Sequence, residues 1–277
     1  MADQFDSPSP DNYKVIEELE ADVSFLYRIT LIVAFWGATH SVATSASFTL
    51  GAGTAPEADG TYINESATSS NYGNTTRYWL GGNSSGGDTY VLISWSVLKD
   101  SLYGRTVDAC SLFVKPNAIV ENVDGLFACY RIRSGRDWVE TQATWSEFKT
   151  SNAWSTGGAK NTTNDIFSTA VDAKTESQFA NGVYTPFDIT SIARQWDGSD
   201  TANCRGVVIK QFSGTDATQI DLASDDNATA ANRPKIKVVY HEGIDAPLTG
   251  RRRKEAISLI EGFNRTKGIL INAKGHQ

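Results

Sequence analysis

The sequence predicts an all-β fold, either a β-sandwich or a jelly roll. In "YVLISWSV" at 90–97 every second residue from Val91 to Val97 is apolar, which puts these residues on one buried face. The 23 glycines and the single methionine favour short strands joined by many turns. Only one short helical turn, in "DITSIARQW" at 188–196, interrupts the strand candidates. This order argues against an α/β fold, in which strands and helices alternate.

Each strand candidate is a short β-rich run bounded by Gly, Asn or Asp. In the first run, the side chains predicted to share the buried face are Val91, Ile93, Trp95 and Val97. The other runs are "ACSLFV" (109–114), "LFACYRIR" (126–133), "GVVIKQF" (206–212) and "PKIKVVYHE" (234–242). We therefore divide the chain into an N-terminal arm at 1–54, a β domain at 55–242 and a basic C-terminal tail at 243–277.

The arm is predicted to begin as a helix. Ser9 can cap it, Pro10 suits its first turn and Asp11 favours the positive end of its dipole. A stripe of apolar residues follows at helical spacing: Ile16, Leu19, Val23 and Leu26. Such a stripe needs a covering surface. It packs either on its own domain or against copies of itself in a helical bundle, for which we consider a trimer, and both alternatives stay open.

The tail carries the opposite charge to the arm. Seven basic residues, among them Arg251, Arg252 and Arg253, stand against three acidic ones, whereas the first 28 residues hold seven acidic and two basic ones. Ile257 and Ile260 belong to an apolar stripe that predicts a short helix in the tail. The two ends can meet on neighbouring subunits or dock on separate partners, and the alternative is that both are solvated helix faces.

The net charge and the hydropathy of the sequence limit the kinds of partner and compartment that we expect for the chain. The net charge of −7 argues against a nucleic-acid partner. The apolar run at 29–38 has ten residues, about half of the roughly 20 that a membrane-spanning helix needs, and no basic segment precedes it. We therefore expect neither a membrane span nor a secretion signal. Cys110, Cys129 and Cys204 lack metal-site spacing, and Cys110 alternates with apolar neighbours as a buried thiol does.

Four stretches in the β domain resemble, in order, the signature stretches of the DNRLRE domain family: "ADGTYINESATSSNYGN" (58–74), "WVETQATW" (138–145), "FDITSIARQWDG" (187–198) and "NRPKIKVVY" (232–240). The resemblance implies a jelly-roll β-sandwich related to carbohydrate-binding modules and to a disaggregatase domain. It also implies a domain attached to surface, secreted or viral proteins, generally without catalysis. The chain departs from the family pattern at "NCRG" (203–206) and "SWS" (94–96), which leaves ligand specificity open.

The motif "DWVETQATW" at 137–145 raises the question of catalysis. Trp138 and Trp145 would face opposite sides of a straight strand, so burying both requires a bend, with Thr141 or Thr144 satisfying local backbone groups. We expect Glu140 to accept hydrogen bonds from loop amides or an arginine. Catalysis would need a second carboxylate about 5–10 Å away. The candidates are Asp137, Asp188, Asp225 and Asp226, but no spacing selects one, so we predict no catalytic residue.

The sequence offers better candidates for ligand binding than for catalysis. Sugars stack on exposed aromatic faces beside polar groups, and Tyr72, Trp79 and Trp154 lie in polar, turn-rich contexts. The alternative is that each ring only anchors its loop. Arg77 can bind an acidic sugar, as can Arg131 and Arg133. We expect no cofactor except a structural calcium ion, for which "SDDNAT" (224–229) or Asp59 offers oxygens.

These features favour a non-enzymatic structural and adhesion protein of a tailed-phage virion, of the decoration or fibre type. It would lie on the virion surface, contact itself and other virion proteins, and bind a cell-surface polysaccharide. One alternative is an exported bacterial or archaeal glycan-binding module at the cell surface or in the extracellular space. A second is a weak polysaccharide-degrading enzyme.

Overall fold

The computed structural model describes residues 45–55, 57–82, 87–121, 125–196, 205–213 and 218–242. The apolar stripe of the arm and the basic and apolar residues of the tail lie outside these ranges, so the predictions made for them stay predictions. Cys204 lies outside them as well.

The described residues form fourteen strands and two short α-helices. The strands are β1 (Ala46–Gly51), β2 (Asp59–Asn64), β3 (Arg77–Gly82), β4 (Asp88–Ser94), β5 (Arg105–Val114), β6 (Pro116–Glu121), β7 (Leu126–Arg131), β8 (Glu147–Lys149), β9 (Asn152–Ala153), β10 (Asp172–Thr175), β11 (Thr185–Asp188), β12 (Val207–Ser213), β13 (Gln219–Ala223) and β14 (Lys235–Glu242). The helices are α1 (Leu98–Leu102) and α2 (Thr190–Ala193). None of the described helices is long and apolar enough to cross a bilayer.

Two antiparallel sheets dominate the fold, which confirms the predicted sandwich-like all-β architecture. The smaller sheet has the strand order β1-β14-β5-β11. The larger sheet has the order β10-β7-β12-β4-β3-β13-β6, and β2 also pairs with β4. A third sheet is the small hairpin of β8 and β9.

The main core lies between the two large sheets. Val91 and Ile93 of β4 point into it from one side, and Leu112 and Val114 of β5 point into it from the other. All four are almost completely buried. Each side chain of this kind contributes about 1.5–3 kcal/mol by leaving water. Every second residue of β4 and β5 therefore faces the main core, as the sequence pattern predicted.

A second core covers part of the outer face of the larger sheet. Tyr90 and Leu92, the intervening residues of β4, pack there with Tyr130 of β7 against the segment 132–170. Trp145 and Trp154 of that segment are among the buried side chains. We refer to residues 132–170 as the covering segment. Because β4 is buried on both faces here, its sequence is a continuous apolar run.

Two boundaries differ from the prediction. The smaller sheet begins at β1, in the range assigned to the arm, because β1 pairs along its full length with β14. The strand predicted at 90–97 ends at Ser94, and the chain turns into α1. Trp95 and Val97 nevertheless contact the main core. The helical turn predicted within 188–196 is α2, where Asp188 Oδ1 accepts a hydrogen bond from the Thr190 amide (2.9 Å).

Candidate functional site

The residues 137–146 form an irregular loop and not a straight strand. The Ala143 amide donates to the Val139 carbonyl (2.8 Å), which closes a turn between the two tryptophans. Thr144 Oγ1 accepts a hydrogen bond from the Glu147 amide (3.0 Å), as expected of one of the two threonines. The bend allows Trp145 to be buried while Trp138 stays partly exposed.

Neighbouring segments of the chain donate hydrogen bonds to both the backbone and the side chain of Glu140. Asn71 Nδ2 donates to the carbonyl oxygens of Glu140 (2.7 Å) and Ala143 (2.8 Å). Gly73 lies so close that a Cβ atom there would stand 2.3 Å from the Glu140 carbonyl oxygen. The Gly60 amide donates to Glu140 Oε1 (3.3 Å). The sequence predicted a loop amide or an arginine as the donor to Glu140, whereas the donor found is a backbone amide of strand β2.

The charged neighbour of Glu140 is another acid, Asp225. Carboxylate oxygens of Glu140, Asp225 and Asp226 all lie within 4.8 Å of one another. Asp225 is buried, accepts a hydrogen bond from the Tyr78 hydroxyl at Oδ1 and donates its own amide to that hydroxyl oxygen (3.1 Å). We name Tyr78, Glu140, Asp225 and Asp226 the acid cluster.

Burial raises the pKa of Glu140 to about 8, and the contact with Asp225 adds to that rise. Burial also raises the pKa of Asp225 above its usual range. Two carboxylates in contact cannot both be charged without compensation, so the pair titrates as a unit. We infer that Glu140 and Asp225 share one proton at neutral pH.

This geometry does not resemble that of a two-carboxylate hydrolase. In such enzymes the two groups stand about 5–10 Å apart, with the scissile bond or a water between them. Glu140 and Asp225 instead interact directly. Of the other candidate acids, Asp226 belongs to the acid cluster, whereas Asp137 pairs with Lys149 (2.7 Å) and Asp188 accepts from Thr190 at the start of α2.

The acid cluster also contains the oxygens that a calcium ion prefers. Asp225 and Asp226 come from the stretch 224–229 named in the sequence prediction, and Glu140 joins them from the covering segment. Asp59, the other predicted calcium ligand, is not part of this group and faces a separate cavity. A cation and a shared proton would satisfy the same pair of acids, so the two states are mutually exclusive.

Arg77 and Trp79 lie together on the outer face of the larger sheet. Tyr78 and Leu80 are fully buried in the main core, so the alternate residues of β3 project to the other side. The Trp79 ring is partly exposed and also packs against residues of the main core, and the Arg77 guanidinium carbon is 5.7 Å from its centroid.

Asp221 stands opposite Trp79 on β13 and is buried. One of its oxygens contacts the Arg77 guanidinium (3.4 Å), and the other accepts a hydrogen bond from Asn117 Nδ2 (3.0 Å). We call these four residues the Trp79 patch: an aromatic ring surrounded by a cation, a carboxylate and an amide.

The other two predicted rings differ in exposure. Tyr72 is partly exposed but stacks on Tyr62, with centroids 4.1 Å apart and planes 17° apart, so one of its faces is covered. Trp154 is 4% exposed and donates its indole N–H to the Thr144 carbonyl (3.0 Å). Trp154 thus has no face available for stacking. Its polar, glycine-containing context reflects tight packing within the covering segment and not exposure.

The guanidinium groups of Arg131 and Arg133 are also engaged within the fold and are not positioned to bind a sugar carboxylate. Both guanidiniums lie 4.1 Å from the centroid of the Phe167 ring. Arg133 also donates to the carbonyls of Ile166 (3.0 Å) and Thr162 (2.9 Å). These arginines hold the covering segment in place.

A cavity of about 220 Å³ opens near the end of β4, and no ligand prediction included it. Its lining residues are Asp59, Ser94, Ser96, Lys99, Asp137, Trp138 and Arg205. They come from four separate stretches of the chain, which explains why no local motif indicated them. The sequence analysis named Asp59, Asp137 and Trp138 for separate reasons and did not connect them.

Among known proteins, the chain matches no protein-family model and no curated protein, so its function must be argued from the geometry of its own residues.

Proposed function

We propose that the chain is a non-enzymatic glycan-binding module with a jelly-roll topology, acting as a structural and adhesion protein on the surface of a tailed-phage virion. The observation that carries the binding role is the Trp79 patch. The resemblance to the DNRLRE domain supports the jelly roll and the placement on a surface protein. Arm and tail, with their opposite charges, would dock on other virion proteins or on further copies of the chain.

The patch has the parts that sugar recognition requires. The exposed portion of the Trp79 ring offers a flat apolar surface for the C–H face of a sugar ring. Arg77, whose side chain is 53% exposed, can donate two parallel hydrogen bonds to hydroxyls or to a sugar carboxylate. The neighbouring Asp221 and Asn117 fix its position, which reduces the entropy lost on binding.

Binding can be tested with purified protein and a panel of neutral and acidic polysaccharides, measured by affinity electrophoresis and calorimetry. We expect Trp79→Ala to weaken binding at least about tenfold, as loss of a central aromatic contact does. Tyr103→Ala is the matched control, because Tyr103 is also exposed (66%) but lies in the turn after α1. Equal affinity of the two variants would remove the patch from consideration.

The virion placement needs its own experiment. Mass spectrometry of purified particles, combined with antibody labelling of intact ones, should find the chain on their surface. Recovery only from a particle-free extracellular fraction would favour the exported module.

Removal of residues 1–36, followed by light scattering, tests whether the arm causes oligomerisation. We expect a smaller oligomer, and an unchanged mass would exclude the arm as the means of assembly.

A further inference from the structure

The cavity near the end of β4 is formed where three strands of the larger sheet end or begin together. Asp59 of β2 pairs with Ser94 of β4, and Arg205 precedes β12, whose Val207 pairs with Ile93. Lys99 comes from α1, which starts shortly after β4, and Asp137 and Trp138 come from the covering segment. The lining is thus supplied by ordered elements of the β domain.

The walls of the cavity are fixed by backbone contacts. The Trp138 indole N–H donates to the Arg205 carbonyl (2.8 Å), which ties the covering segment to the start of β12. Gly206 has φ +78°, and a Cβ atom there would stand 2.2 Å from the Ile93 carbonyl oxygen. Only glycine permits this approach. The position of Arg205 is therefore determined before any ligand arrives.

The charges in the cavity are only partly balanced. Asp137 is bound by Lys149 (2.7 Å), and that lysine, with a smaller contribution from Arg205, holds the pKa of Asp137 below its usual range. Burial raises the pKa of the Asp59 carboxyl, and the Ser96 amide partly offsets that rise. Within the described ranges, Lys99 has no hydrogen bond or ion pair. Among the described residues, therefore, no carboxylate pairs with the Lys99 ammonium group that lines the cavity.

We propose that this cavity binds one sugar-acid unit, a hexuronate, with its carboxylate on Lys99 and its ring against Trp138. The hydroxyls of Ser94 and Ser96 and the carboxylate of Asp59 supply donors and acceptors for the sugar hydroxyls. The volume of about 220 Å³ lies below the roughly 300–1,000 Å³ of pockets for larger ligands, which suits a single ring. This inference deepens the proposed glycan-binding function and rests on it, but it uses a different site from the Trp79 patch.

Calorimetry and ligand-observed NMR with glucuronate, glucose and acetate test the assignment on the full chain. We expect glucuronate to bind at least about tenfold more tightly than glucose or acetate, because only glucuronate joins the anion to the ring. Lys99→Ala should lose this preference and Lys99→Arg should retain much of it. Lys237→Ala is the control, since Lys237 is exposed on β14 in the other sheet.

Further comparisons separate the possible failures. Ser96→Asp, which adds a negative charge at the cavity, should abolish the preference for glucuronate. Equal binding of glucose and glucuronate, or no effect of Lys99→Ala, would overturn the cavity assignment. If the polysaccharide still bound through Trp79 while free glucuronate did not bind, the cavity assignment would fail and the proposed function would stand. If Lys99→Ala lost polysaccharide binding while Trp79→Ala bound as before, the cavity assignment would stand and the Trp79 patch would be removed as the binding site.

Discussion

Two parts of the outer face of the larger sheet meet very different surroundings. Over β4, β12 and β7 the face is covered by residues 132–170, which bury Trp145 and Trp154. Over β3 and β13 the same face carries the partly exposed Trp79, with Arg77 and Asp221 beside it. The three tryptophans occur in similarly polar stretches of sequence. Whether a tryptophan becomes core or a binding surface therefore depends on whether a distant segment lies over it.

We expect the largest loss of stability from a substitution in the part of the outer face that the covering segment buries. Trp154→Ala should lower the free energy of unfolding by about 3–5 kcal/mol, because it leaves a cavity next to Phe148 and an unpaired Thr144 carbonyl. Trp79→Ala should cost less than about 1 kcal/mol, since that ring is partly solvated. Urea denaturation followed by circular dichroism measures both. Equal losses would mean that the two tryptophans have equivalent environments.

Next in size is the effect of the close packing beneath Trp145. Gly158 has φ +74°, and a Cβ atom there would lie 2.6 Å from the Trp145 ring. Gly158→Ala should destabilise the protein by roughly 2–4 kcal/mol through overlap and backbone strain together. Gly182 has nearly the same φ (+75°) but nothing within 4 Å of the added atom, so Gly182→Ala should show only the strain, roughly 1 kcal/mol. Similar melting temperatures for the two variants would show that the contact with Trp145 does not limit packing.

A smaller, pH-dependent effect is expected where the covering segment meets the end of β13. The folded pKa of Glu140, about 8, is above its unfolded value of 4.5, so the folded state binds more protons between these limits. The stabilisation of the protonated pair is complete below the unfolded pKa and decreases as the pH rises towards about 8. Glu140→Gln keeps the shape without needing the proton. It should therefore melt roughly 2–6 °C above the parent at pH 8 and about level with it at pH 4.5.

Thermal unfolding over pH 4.5–8, with and without calcium, measures this effect. Glu147→Gln is the control, because Glu147 is an acid of the same segment outside the acid cluster. A parent protein that becomes more stable as the pH rises, or that millimolar calcium stabilises while leaving Glu140→Gln unaffected, would show that a cation and not a proton joins Glu140 to Asp225.

The smallest stability effect belongs to the uncovered part. Arg77 is more than half exposed and its contact with Asp221 is long (3.4 Å), so Arg77→Ala should change the free energy of unfolding by less than about 1 kcal/mol. The same variant should weaken binding of acidic polysaccharides several-fold and reduce its salt dependence. Lys237→Ala serves as the charge-matched control. A large loss of stability without loss of binding would assign Arg77 to the fold and not to the ligand.

Sequence patterns alone predicted the all-β class, the strands of the main core, the bend around Glu140 and the helical turn that became α2. These follow from local rules: alternation, turn residues and capping act over a few neighbouring positions. It also identified Arg77 and Trp79 as surface candidates, and the structure brings them together on β3 with partners from β6 and β13.

The complete fold was needed to show which outer-face residues are covered, that Asp225 is the acid beside Glu140, and that Lys99 and Arg205 share a cavity with Trp138. Those neighbours are separated by tens of residues along the chain, and alternation gives a strand two faces without saying what lies against either. The reason is physical: burial and pairing depend on which segment the chain returns over the sheet, and that is a property of the complete fold.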